Sequence, residues 1–307
     1  MTDVVIDNKV VKRHYPRDNR DEKLSFVFES DPNLCLLKNK IAIHFKIELD
    51  DKYIPDNGFS QKQFSIMDIE LNSQLVSSNK AKFVFFFLLI FIIFTFRGEF
   101  FLNDWILKQG NYNRDYINSI FSIEGYYDDY AYELVTNSDD KDAIINHRRR
   151  GISKIGSKFI YEFIMIPSAG FLKENKPLPP NVELKLSFDR LPAEFSTILL
   201  DSDGIDPLKG QVLELKDVYA QVEYISSPFL RNFFDRIEVN PISYTYDECN
   251  IIYKSLPTEE QSIRLDNLKG GNTPDYIFMA IISTSMPRIF FFLFLPLFRC
   301  TNRKYEK

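Results

Sequence analysis

Strict alternation of apolar and polar residues is the clearest pattern in the chain. In residues 41–49 the odd-numbered positions are all apolar, and His44, Lys46 and Glu48 lie between them. A period of two places successive side chains on opposite faces of a β-strand, so the pattern predicts a strand with one buried face. The same alternation recurs in three further segments, 67–71, 182–188 and 218–224.

Two other features extend this strand pattern. Asn72-Ser73 precedes the apolar pair Leu75-Val76, and asparagine tolerates the left-handed backbone of a two-residue hairpin turn. Residues 159–166 and 276–282 are apolar on both faces, apart from Glu162. We therefore expect a hairpin at the first position and strands buried between two layers at the other two.

One segment, residues 112–121, has apolar and aromatic side chains at the spacing of an amphipathic helix. Asn113 is suited to cap its start, and Gly125 to end it. Prolines, glycines and acidic residues mark loops at 177–180, 201–207 and 270–271. Many short strands with turns between them predict an all-β jelly-roll sandwich. Because strands and helices do not alternate, a parallel doubly wound sheet is not expected.

Two phenylalanine-rich tracts do not fit this pattern. Residues 83–96 read FVFFFLLIFIIFTF, and residues 289–298 read IFFFLFLPLF. Both are shorter than the ~20 apolar residues of a spanning helix. They are compatible with a membrane-associated segment, a buried strand or translated non-coding sequence. We favour the third, because T-rich codons encode Phe, Leu and Ile. We treat 80–104 as an insertion and 288–307 as an aberrant tail.

Composition narrows the class of protein. The 307 residues allow two domains or one large all-β unit, and 29 Phe and 16 Tyr favour strands. A net charge of −5 argues against a broad nucleic-acid-binding face. Three cysteines and three histidines provide neither a disulfide framework nor a histidine-rich metal site. Residues 1–23 lack an apolar signal core, which favours an intracellular origin.

Candidate chemical motifs are weak. Asp201, Asp203 and Asp206 resemble the start of a calcium loop, but Gly204 stands at position four instead of six, so an acidic turn is preferred. The basic run 147–150, with Lys154 and Lys158 beyond it, has the charge to contact phosphates. A solvated loop is the preferred interpretation, because acidic residues 139–142 precede the run.

The remaining candidates are interpreted as structural. His44 lies on the polar face of its strand, Cys35 and Cys249 lie in apolar surroundings, and Gly270-Gly271 lacks a phosphate-binding frame. We assign no catalytic, cofactor-binding or metal-ligating residue and expect a protein that is not an enzyme and needs no cofactor.

Four segments, read in order, resemble one family. Residues 66–76 are similar to its V-x-V-x-L-N-G-x-x-V hairpin, with Ser73 in place of glycine, and residues 113–125 are similar to its Y-R-x-Y helix. Residues 159–190 and 262–282 resemble two further stretches, the second through Leu265-Asp-Asn-Leu268 and Pro274. The family is that of the double jelly-roll major capsid proteins of Maverick/Polinton transposable elements and related viruses.

This resemblance implies an N-terminal arm (1–19), a first jelly roll (20–228), a partial second jelly roll (229–287) and the tail (288–307). It implies a structural capsid protein, assembled as a trimeric capsomer and located in the virion or inside the cell, in the cytoplasm or nucleus. We expect a truncated copy that does not build a particle by itself, with no specific nucleic-acid partner. A host β-sandwich binding module and a membrane-associated protein remain the alternatives.

Overall fold

The computed structural model describes residues 8–29, 32–78, 121–127, 141–167, 169–200, 207–226, 244, 279–282 and 289–293. By its internal contacts the chain divides into two compact units. The first comprises Met1–Lys82 and Arg97–Ile251, and the second comprises Phe83–Phe96 and Ile252–Lys307.

The described part of the first unit is built from antiparallel strands. In chain order these are β1 (Asn8–His14), β2 (Asp18–Arg20), β3 (Lys23–Phe28), β4 (Cys35–Asp50), β5 (Tyr53–Pro55), β6 (Phe64–Leu71), β7 (Gln74–Ser78), β8 (Ser153–Ile155), β9 (Lys158–Met165), β10 (Leu184–Arg190), β11 (Thr197–Leu199) and β12 (Lys216–Ser226). The first sheet has the order β1-β12-β4-β9-β8, and the second sheet has the order β2-β3-β10-β6-β7. Strands β5 and β11 form a separate two-stranded ribbon.

The pairing of eight of these strands is nested. Strand β1 pairs with β12, β3 with β10, β4 with β9, and β6 with β7, each in antiparallel register. Of these eight strands, the first in sequence therefore pairs with the last, the second with the seventh, the third with the sixth, and the fourth with the fifth. Such nesting is that of one long hairpin rolled into two sheets, which is the topology of a jelly roll. The prediction of an all-β jelly-roll sandwich is confirmed.

The strands with alternating sequence fill the space between the sheets. All five odd-numbered side chains of residues 41–49 are buried, and they join Leu184, Leu186 and Phe188 of the second sheet in one hydrophobic cluster. The predicted turn at Asn72-Ser73 is also confirmed. Both residues have positive φ angles, 47° and 66°, as a type I′ hairpin turn requires.

Two sequence predictions about strands differ from the structure. Residues 1–19 were expected to form an arm, but Asn8–His14 is strand β1, because its alternation turns Val10 inward against the core. Strand β9 was expected to be buried on both faces. Tyr161, Phe163 and Met165 are buried as expected, whereas Ile160 and Ile164 on its other face are half-buried.

Helices are short in the described residues. They are α1 (Phe59–Lys62), α2 (Lys141–Arg149), α3 (Gly170–Lys173) and two 3₁₀ turns, Phe121–Glu124 and Ala193–Phe195. The predicted helix 112–121 lies outside the described residues except for Phe121. Gly125, expected to end that helix, follows the first 3₁₀ turn with a φ of +81°.

The described part of the second unit is a hairpin of β13 (Met279–Ile282) and β14 (Ile289–Leu293). Strand β13 agrees with the strand predicted at 276–282. Strand β14 covers the first half of the second phenylalanine-rich tract, so that half is strand. The first tract, 83–96, lies outside the described residues. No helix among the described residues has the length and apolar content to cross a membrane.

Candidate interaction surface

The outer face of the first sheet, which points away from the core, carries a cleft of about 890 Å³. Its floor includes Tyr219 of β12, His44 of β4 and Ile164 of β9. These three side chains are neighbours because Tyr219 pairs with His44 and His44 pairs with Ile164 across adjacent strands. Tyr15 and Ile123, exposed by 72% and 42%, also line the cleft.

The centre of the cleft is an aromatic stack. The rings of His44 and Tyr219 are parallel to within 8°, with 4.5 Å between their centroids. The guanidinium carbon of Arg13 lies 4.8 Å from the Tyr219 centroid, in cation–π range. Burial, and secondarily the charge of Arg13, lowers the pKa of His44 below its usual value. His44 is therefore a packed, neutral member of the stack at pH 7, in line with its expected structural role.

Charged pairs of both signs lie on the same face, beside the stack. The Lys46 ammonium is 3.0 Å from a Glu162 carboxylate oxygen and 3.2 Å from one of Asp217. One row further along the sheet, Lys216 Nζ lies 2.8 Å from Glu48 Oε1. The pKa of Lys46 is raised and that of Glu48 is lowered, chiefly by these hydrogen bonds. This part of the face is a mosaic of both charges.

The basic run at 147–150 is not the solvated loop that the sequence suggested. Arg148 and Arg149 occupy the last turn of helix α2, and Arg148 is 2% exposed. Arg148 donates to the Pro55 carbonyl and lies 4.5 Å from the Tyr127 ring, while Arg149 donates to the Asp51 carbonyl. These arginines hold the helix against the sandwich, so they are committed to structural contacts.

A buried lysine is a feature that the sequence analysis missed. Lys38 is 1% exposed, and its ammonium donates to the carbonyls of Glu174 and Lys176 at 2.8 and 2.7 Å. The same ammonium lies 3.3 Å from the Glu174 carboxylate, and 5.2 and 4.9 Å from the centroids of Phe171 and Tyr244. Lys38 stands within strand β4, where the sequence pattern shows no sign of such a cage.

Tyr244 is the described residue that links this cage to the chain beyond β12. Its hydroxyl donates to the Pro177 carbonyl at 2.9 Å, and its ring lies edge-on to Phe171. Burial raises the pKa of Tyr244 to about 12. Lys38 of β4 therefore fastens the 174–177 loop to the first sheet, and Tyr244 holds the same loop from the chain beyond β12.

The other candidates from the sequence can be placed only in part. Cys35 is buried, as expected, and burial raises the pKa of its thiol to about 12, so it is a poor nucleophile. Residues 201–206, Cys249 and Gly270-Gly271 lie outside the described residues. Among the residues that are described, no three His, Cys, Asp or Glu side chains are grouped as metal ligands.

Comparison with known proteins gives structural similarities alone. No protein-family model and no curated protein sequence matches the chain. PBCV-1 VP54, fitted into a reconstruction of the virophage Sputnik, is similar with 12% identity and a TM-score of 0.42. The quasi-atomic PBCV-1 capsid gives 13% and 0.39, and the mavirus major capsid protein gives 11% and 0.37.

Each similarity covers 76% of this chain. The covered share of the other protein is 46% for the two PBCV-1 structures and 48% for the mavirus protein. The chain therefore spans about half the length of each of these structures.

Proposed function

We propose that this chain is a structural protein of the capsid type, whose jelly roll assembles with other copies of itself. The observation that carries the proposal is the nested eight-strand topology. Jelly rolls of this kind build viral capsid, lectin and cupin domains. The sequence resemblance to double jelly-roll major capsid proteins selects the first of these three.

The filled interior of the sandwich leaves its outer surfaces as the parts that can contact other molecules. Large aromatic side chains from both sheets, including Phe26, Phe28, Phe45 and Phe188, are at most 1% exposed and fill the space between the sheets. The sheet faces and loops are therefore the surfaces that this domain offers to other molecules. A structural protein acts through such surfaces.

The positions of the resemblance also support it. The hairpin segment 66–76 forms strands β6 and β7 with their turn, and the segment 159–190 runs from β9 to β10. Both segments therefore coincide with strands that follow one another in the jelly roll. The resemblance thus lies in parts of the chain that define the fold. We extend the proposal to a Maverick/Polinton-like origin, to a first jelly roll that begins with β1 and ends near residue 228, to the start of a second at 229–287, and to location in a virion.

The experiment is a mass measurement of the purified full chain by light scattering after size exclusion, over a wide concentration range, with negative-stain electron microscopy of each species. The proposal predicts a trimer as the smallest stable oligomer, visible as uniform particles. A monomer at every concentration contradicts an assembly role. Uniform dimers contradict the trimeric capsomer and leave self-association standing.

A further inference from the structure

We propose that copies of this chain associate through the outer face of the first sheet, here called the assembly face. The inference rests on the proposed function and adds to it the surface and the partner: a second copy of the same chain. Four features of the described residues support it, namely the pattern of β9, the distribution of exposed apolar side chains, the charges of the face, and the edges of the sheets.

Strand β9 carries apolar side chains at two of the four positions on its outer face. Antiparallel strands with one solvated face show polar residues at alternate positions. In β9 the inward side chains Tyr161, Phe163 and Met165 are buried. The outward positions alternate between exposed charges, Lys158 and Glu162, and the half-buried Ile160 and Ile164. The outer face of β9 is therefore half apolar, more than a fully solvated strand face requires.

Exposed apolar side chains are concentrated on the same face. Five large apolar or aromatic residues are exposed in the described part of the chain: Val11, Tyr15, Leu75, Ile123 and Ile155. Val11 stands opposite Glu223 on the outer side of β1 and β12, and Ile155 stands opposite Lys158 at the β8 edge. Tyr15 and Ile123 line the cleft. Four of the five thus belong to the assembly face, and Leu75 alone lies on the second sheet.

The charges on the assembly face favour another copy over a nucleic acid. A phosphate backbone is bound by cations that have no carboxylate partner. Here Lys46 lies between Glu162 and Asp217, and Lys216 pairs with Glu48. Since the side chains of Glu162 and Asp217 remain about 70% exposed, a second face that carries both signs of charge can exchange ion pairs with this one.

The strand edges favour contact through a face. Edge strands avoid pairing with other chains when they are short, charged or bulged. Strands β2 and β8 have three residues each, β1 carries Lys9, Lys12 and Arg13, and the β6–β7 ladder shifts register between Ile69 and Glu70. Each edge of the two sheets thus carries one of these features, and the sheet face is left as the contact.

The test compares lysine substitutions on the two sheets in the full chain. Ile155→Lys and Ile164→Lys place a charge on the assembly face, and Leu75→Lys is the matched control, because Leu75 is exposed to a similar extent as Ile155, 59% against 67%. Sedimentation velocity gives the dissociation constant of the oligomer, and circular dichroism with thermal melting checks that each variant is folded. If Ile164→Lys does not fold, Ile155→Lys still tests the assembly face, because Ile155 is exposed.

We expect both assembly-face variants to raise the dissociation constant at least ~10-fold, and Leu75→Lys to leave it within about twofold. If the unchanged chain forms oligomers and all three variants behave alike, the assembly face is wrong while the proposed function stands. If Leu75→Lys alone dissociates the oligomer, the second sheet is the contact and the inference is overturned. A monomeric unchanged chain overturns both the inference and the proposed function.

Discussion

Replacing Gly125 by alanine tests how tightly the segment after the predicted helix is built into the sandwich. Gly125 has a φ of +81°, and its carbonyl accepts a hydrogen bond from Gly58 N–H at 2.8 Å. A Cβ added there would lie 2.8 Å from Phe59 Cβ and 3.0 Å from Phe163 Cε1. The first distance is closer than two carbon atoms can approach, and neither neighbour can move away freely because both are buried.

Two costs add at this position. A left-handed backbone costs an L-residue about 1–2 kcal/mol, and overpacking a filled interior typically costs about 1–3 kcal/mol. Alanine also reduces the conformational freedom of the unfolded chain, which stabilises the folded state by about 0.4–1 kcal/mol. Gly151→Ala is the matched control, since Gly151 has a φ of +76° but no atom within 4 Å of the added Cβ. The two variants should therefore differ by the packing cost alone.

The assay is urea unfolding followed by tyrosine fluorescence and circular dichroism. We expect the free energy of unfolding of Gly125→Ala to lie about 1–3 kcal/mol below that of Gly151→Ala. Equal losses in the two variants would refute the reasoning, because they would mean that no buried neighbour meets the added methyl group. Residues 121–127 would then not pack against α1 and β9 as described.

Three further predictions follow from other features. Lys38→Met should lower the free energy of unfolding by about 1–3 kcal/mol, because it removes the donor to the carbonyls of Glu174 and Lys176. Lys40→Met, at an exposed position, should change it little. Burial lowers the pKa of His14, so the unfolded chain binds the proton more readily than the folded chain does. The free energy of unfolding should therefore fall as the pH drops below 6.5. In urea unfolding at several pH values, His14→Gln should remove part of this dependence of the midpoint on pH. Deleting residues 80–101 should raise solubility and keep one cooperative unfolding transition. The reason is that each halving of a loop's length changes the free energy of loop closure by only about 0.6 kcal/mol. Loss of the cooperative transition would show that the tract is part of the core.

The sandwich could be predicted from local patterns because its strands obey a period of two. The buried positions of residues 41–49 and the turn at Asn72-Ser73 depend on near neighbours in sequence, so alternation and turn chemistry were sufficient. Strand β9 was predicted at the right place but with the wrong environment. Its sequence has apolar residues on both faces, apart from Lys158 and Glu162, and such a pattern does not distinguish a buried outer face from a half-buried one.

The contacts that complete the fold join residues far apart in sequence, so local patterns predict them poorly. Arg148 reaches the Pro55 carbonyl 93 positions away, so a run of arginines that looked solvated is half buried in the structure. One signal was present: Asp142 in the first turn and the basic residues in the last complement the dipole of helix α2. The Lys38 cage is still less predictable, since its acceptors lie at positions 174 and 176.

Cross-linking of an isotopically mixed sample tests the central claim, that copies of this jelly roll meet through the assembly face, most directly. Equal amounts of ¹⁴N- and ¹⁵N-labelled full chain are mixed, cross-linked through lysine and analysed by mass spectrometry, so that mixed-label pairs report contacts between copies. The lysines of the assembly face are Lys9, Lys46, Lys158 and Lys216, and those on the outer face of the second sheet are Lys23 and Lys185. The account predicts mixed-label pairs among the first set. Mixed-label pairs confined to Lys23 and Lys185 would contradict it.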